Sequence, residues 1–123
     1  MTRILGLMHD LFFRSKVDAV AHAVGIDVVY AGSLEEANAR CAEQAPAMIF
    51  VDLADPLFPA VETAGAMRAA APAARLIGFA SHVDLKALGA AREAGFALTL
   101  SRSEDEQLGL KGRALDLAAR PGT

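Results

Sequence analysis

In the segment Met48-Ile-Phe-Val-Asp-Leu-Ala-Asp-Pro56, a run of apolar residues ends in a carboxylate, Asp52, and a turn signal closed by Pro56 follows. A short, continuously apolar run with a turn behind it reads as a strand buried on both faces. In open parallel α/β sheets the carboxyl ends of the strands are where loops converge and helix N-termini point their positive ends. Asp52 is therefore the first candidate functional residue, and its neighbours decide what it can do.

The same rhythm extends outward in both directions. Short apolar runs are read as strands at Arg3 to Met8, Asp27 to Tyr30, Ala47 to Asp52, Arg75 to Ala80 and Ala97 to Leu100. Amphipathic stretches between and after them are read as helices at Phe12 to Val24, Leu34 to Gln44, Ala60 to Ala71, Leu85 to Ala94 and Asp105 to Ala118. This is the βα alternation of a parallel sheet. Ser33 with Glu36, and Ser103 with Glu106, have the spacing of capping boxes. Gly25 and Gly95 stand where helices need a left-handed stop, and Pro46 and Pro72 forbid continuation.

Composition bounds the class. With 123 residues, 54% hydrophobic and 22% charged at a net charge of -3, the chain fits one domain over residues 1–119 and a frayed tail at 120–123. The lone Cys41 rules out an internal disulfide and a multi-cysteine metal site, and is expected as a small core residue of a helix. A reducing cytosol is the natural home, since the N-terminus enters a strand directly and no apolar run approaches bilayer length. The 12 basic residues are scattered and outnumbered by 15 acidic ones, which argues against a nucleic-acid partner.

The βα order, the size and the segments Arg3-Ile-Leu-Gly-Leu7, Val51-Asp-Leu-Ala-Asp-Pro56, Arg92-Glu-Ala-Gly95 and Leu100-Ser-Arg102 together resemble the receiver domain of two-component response regulators, over nearly the whole chain. The resemblance implies an α/β, flavodoxin-like (CheY-like) (βα)5 three-layer sandwich with a five-stranded parallel sheet in the order 2-1-3-4-5. In that family an aspartate ending the third strand accepts a phosphoryl group from a histidine kinase, which makes Asp52 the phosphoacceptor candidate. An acidic pair after the first strand holds Mg²⁺ with that aspartate and a backbone carbonyl two residues on, here that of Ala54. A Thr or Ser closing the fourth strand and a Lys closing the fifth stabilise the phosphoryl oxygens.

The chemistry explains these residue types. Phosphoryl transfer to a carboxylate gathers negative charge, so a divalent cation and a Lys must neutralise it. Hard Mg²⁺ takes oxygen ligands in near-octahedral geometry. Aligned without gaps, the acidic pair becomes Met8 and His9, whose thioether and imidazole are poor Mg²⁺ ligands. Asp10 is the nearby carboxylate, one residue late, and serves with Asp52 as a metal set only if the loop rearranges. The hydroxyl position becomes Ala80, with Ser81 one residue on and turned away unless the strand has ended. The Lys position becomes Arg102, which keeps the charge but replaces a compact ammonium with a planar fork. Leu11 stands where a proline is common, and Thr99 where an aromatic reports activation.

Each residue also has a simpler reading. Asp52 pairs with Arg102 in a strand-end ion pair, or remains a competent phosphoacceptor. Asp10 caps the first helix. Asp55 shapes the turn before Pro56. Of Phe12 and Phe13, one is core and the other surface, on a helix whose apolar face continues through Val17, Val20 and Val24. His9 and His82 fall at the same sheet edge as Asp52 and form a candidate transition-metal set. The segment Gly6-Leu-Met-His-Asp10 bears comparison with cobalamin-binding domains, but Leu7 and Phe12 stand where an acid and a Gly belong. No Gly-rich phosphate loop follows the first strand, and nucleophile, base and oxyanion donors cannot be assembled, so the chain is not read as an enzyme.

Met8, Leu11, Leu57 and Phe58 are expected to gather at the mouth of the pocket, as a hydrophobic plug or as a docking site. The face made by the fourth helix, fifth strand and fifth helix, which mediates contacts in the family, draws here on Leu85, Leu88, Thr99, Gln107 and Leu110. The sequence reading is a cytoplasmic pseudo-receiver, a signalling adaptor or protein-binding module in or beside a two-component phosphorelay. It needs no cofactor, and its partner is a signalling protein, a histidine kinase or a second copy of itself. The alternative is a working receiver phosphorylated on Asp52, with Mg²⁺ bound at Asp10 and Asp52.

Overall fold

A computed structural model of the chain describes residues 3–81 and 83–101. In order these form β1 (Arg3–Leu7), α1 (Leu11–Val24), β2 (Asp27–Ala31), α2 (Leu34–Glu43), β3 (Met48–Asp52), α3 (Ala60–Ala70), β4 (Arg75–Ala80), α4 (Leu85–Ala94) and β5 (Leu98–Ser101). The expected fifth helix at Asp105 to Ala118, its Ser103 and Glu106 cap, and the tail at 120–123 lie outside the described residues. The five strands form one parallel sheet in the order β2-β1-β3-β4-β5, as the resemblance implies.

Local chemistry sets the boundaries. Asp10 caps α1, and Gly25 ends it in the left-handed region at φ 74°. Gly95 does the same for α4 at φ 99°, where an L side chain would be strained. Ser33 accepts the Glu36 N–H at 3.1 Å, as the first half of a capping box requires. The Glu36 carboxylate, however, takes the N–H of Gly32 at 2.6 Å and not that of Ser33, so the box is opened by one residue. β1 stops at Leu7, one residue before the expected end, where its pairing with β2 and β3 also stops, and the next residue, Met8, is fully buried.

Alternation along the strands sends side chains into two layers. Leu5, Leu7, Ile49, Val51 and Leu76 pack with Ala37, Cys41, Ala64, Met67 and Ala91 of α2, α3 and α4. Ile4, Met48, Phe50, Ile77 and Phe79 pack with Phe13 and Val17 of α1. Cys41 is thus a core residue of α2, as expected. The apolar face of α1 is shorter than its sequence pattern: Val24, the last residue of the helix, is 45% exposed. Gly6 is required by close approach, since a Cβ there would lie 2.6 Å from the ring of Tyr30. No helix of the described residues is long and apolar enough to cross a membrane.

Candidate functional site

Strand register builds the site. Val51 pairs with Leu7, and Asp52 pairs with Phe79, so Asp52 stands at the carboxyl edge of the sheet, level with Met8. Alternation puts it on the face of Met48 and Phe50, toward α1. It is only 4% exposed, and its carboxylate accepts the N–H of Ala54 at 3.0 Å. A carboxylate buried this deeply persists only with hydrogen-bonded partners.

The β1–α1 loop supplies no acidic pair. Met8 lies wholly in the α1-side core, and its carbonyl oxygen accepts from the Arg14 guanidinium, Nε at 2.9 Å and Nη2 at 2.5 Å. That guanidinium also lies over the Tyr30 ring, 4.6 Å from its centroid. The Nδ1 of His9 is 2.5 Å from Oδ2 of Asp55, and its ring stacks on the buried Phe58 at 5.8 Å and 18°. The Asp10 carboxylate accepts the N–H groups of Phe12 and Phe13 at 3.0 and 3.2 Å, the cap expected of it. Asp55 shapes its turn, accepting the Leu57 N–H at 3.0 Å, but the contact with His9 gives it a second task that sequence did not reveal. Burial pushes the Asp55 carboxyl up, yet the hydrogen bonds from His9 and Leu57 and the charge of His9 together hold it below its usual range.

On the opposite wall, β4 ends at the buried Ala80, so Ser81 falls just past the strand and its direction is no longer set by alternation. Its hydroxyl oxygen accepts the Val83 N–H at 3.4 Å. Phe12, Phe13, Lys16, Ala54 and Ser81 line a cleft of 330 Å³ on the α1 side. Lys16, which sequence reasoning passed over, sits with its ammonium 4.5 Å from the Phe12 ring centroid. Its spacing from Phe12, one helical turn, was the available signal. Arg102 and His82 lie outside the described residues. Among the described residues no group of three His, Cys, Asp or Glu side chains could hold a metal. The Mg²⁺ set of the resemblance does not fit this loop: a buried thioether, an imidazole turned to Asp55 and a capping carboxylate replace the acidic pair.

The expected gathering of Met8, Leu11, Leu57 and Phe58 is split. Met8 and Phe58 are fully buried, in the two different core layers. Leu11 and Leu57 are 75% and 56% exposed: Leu11 opens α1 beside its Asp10 cap, and Leu57 sits in the turn that Asp55 shapes. Phe12, Val61, Val83 and Leu85 are likewise exposed, and of these Phe12 lines the cleft. Of the expected interaction face, Leu85 is exposed and Leu88 and Thr99 are half-buried, while Gln107 and Leu110 lie outside the described residues. Phe13 is core and Phe12 is surface.

No protein-family model and no curated protein matches the sequence. Solved structures do match in shape. A CheY-like protein, TadZ, from Pseudomonas aeruginosa is 20% identical at a TM-score of 0.79, over 100% of this chain and 98% of its own. A response regulator from Thermotoga maritima is 16% identical at a TM-score of 0.78, over 98% and 99%. The receiver domain of a sensor histidine kinase from Pseudomonas aeruginosa, solved with a magnesium ion in its active-site cleft, is 14% identical at a TM-score of 0.80, over 97% and 98%. The strand order, the placement of Asp52 at the end of β3 and these likenesses agree: the chain has the receiver fold of CheY-like response regulators.

Proposed function

We propose that this protein is a pseudo-receiver, a signalling module of a two-component pathway that acts by protein–protein contact and not by Mg²⁺-dependent phosphorylation of Asp52. The observation that carries the reading is the β1–α1 loop. Each of its three residues that align with or adjoin the acidic pair has a structural occupation: Met8 in the core, His9 on Asp55, Asp10 on the N–H groups of α1. Without a cation, the negative charge that builds at Asp52 during transfer has no counterweight from this side. The exposed apolar side chains at this end of the strands and on the helices that follow, Leu11, Phe12, Leu57, Val61, Val83 and Leu85, support contact with a protein partner, a signalling protein or a histidine kinase. The face carrying Leu85, Leu88 and Thr99 is the second candidate surface, for a partner or a second copy of the chain. On this reading the protein is not an enzyme, needs no cofactor and works in the cytoplasm.

A working receiver is the second reading, favoured by the placement of Asp52 itself at the end of β3. It requires Asp10 to leave its cap and turn to a cation. Incubation with Mg²⁺ and a small acyl-phosphate donor, followed by intact-mass measurement, separates the two. The pseudo-receiver reading expects the unmodified mass. A species heavier by one phosphoryl group, absent in Asp52→Ala, refutes it.

A further inference from the structure

We infer that His9 and Asp55 form a side-chain latch that ties the β1–α1 loop to the β3–α3 loop and sets the position of the β1–α1 loop relative to Asp52. The two residues are 46 apart in sequence, on loops that leave neighbouring strands, and their side chains meet at 2.5 Å. Both ends are pre-organised. The other oxygen of Asp55 accepts the Leu57 N–H, which fixes the carboxylate. The imidazole is stacked on Phe58, which is fully buried in the core beneath.

The turn after β2 passes close by: a Cβ on Gly32 would lie 3.2 Å from Nε2 of His9. The ring is held by the carboxylate and the aromatic, and a glycine at 32 leaves it the room it occupies. The Asp55 side chain is 8% exposed against 46% for His9, so the carboxylate end is shielded from water. A contact shielded at one end and fixed at both couples its loops more strongly than an open surface pair does. Leu11 and Phe12 follow one latched loop directly, and Leu57 belongs to the other, so the latch bears on where these exposed apolar side chains stand.

The test uses the full chain and needs neither partner nor phosphate, so its outcome does not depend on how the protein signals. A double-mutant cycle combines His9→Phe, which keeps a ring on Phe58 but removes the donor, with Asp55→Ala. The latch predicts that the unfolding equilibrium constants depart from additivity by about three-fold or more. It also predicts that His9→Phe moves the Asp55 and Leu57 amide resonances, and that His9→Asn, whose side-chain amide reproduces the Nδ1 donor, returns them toward wild type. Additive costs, or a Leu57 amide unmoved in His9→Phe, overturn the inference.

Discussion

The guanidinium of Arg14 closes the end of β1 by donating twice to the carbonyl oxygen of Met8, through Nε at 2.9 Å and Nη2 at 2.5 Å. The same group stacks on Tyr30, so one side chain holds the loop, the first helix and β2 together. Arg14→Ala leaves a part-buried carbonyl without these donors and costs about 1–3 kcal/mol in urea unfolding. Arg14→Lys recovers little of it, since an ammonium cannot donate from a planar fork or stack on the ring in the same way.

Asp10 stabilises the fold as a helix cap, and on this account that is its task. Asp10→Ala costs about 1 kcal/mol, and Asp10→Asn less, because an amide oxygen still caps. The cost is the same with and without millimolar Mg²⁺. A cost that grows when Mg²⁺ is added marks Asp10 as a metal ligand.

Gly6 admits the Tyr30 ring against β1. In Gly6→Ala the new methyl would lie 2.6 Å from that ring, which must then move away from Arg14 and Asp18. Thermal or urea unfolding reads a loss of about 1–3 kcal/mol from this overpacking. Gly65, in α3, has open space around its Cβ position and serves as the control: Gly65→Ala is neutral or stabilising.

Asp55 carries a pH dependence whose sign follows from its lowered carboxyl. A folded value below the unfolded one means that its contribution is present above about pH 4 and is lost as pH falls through the folded value. The stability gap between wild type and Asp55→Asn, followed by urea unfolding from about pH 5 to about pH 3, therefore narrows on acidification. A gap that widens contradicts the direction of the shift.

Fold and site differed in how far sequence reached. The strands were legible because burial on both faces leaves uninterrupted apolar runs such as Met48 to Val51, and the helix ends because Asp10, Gly25 and Gly95 act through local geometry. The site depends on partners distant in the chain. That Asp55 would find His9 across 46 residues, or that Arg14 would turn back to Met8, is set by strand order and loop path, which carry no local signature. Of the plug and the docking site, the plug is excluded for a related reason. Hydrophobicity gathered Leu11 and Leu57 with Met8 and Phe58, but the helix cap at Asp10 and the turn at Asp55 leave these two side chains outside.

The most direct test of the central claim is an amide NMR titration of the whole chain with Mg²⁺ and then beryllofluoride, a mimic of the aspartyl phosphate, with Asp52→Ala as control. A pseudo-receiver shows no selective change at the amides of His9, Asp10, Asp52, Ala54 and Ser81. Perturbations centred on those amides that vanish in Asp52→Ala would contradict that reading, and would make this chain a working receiver.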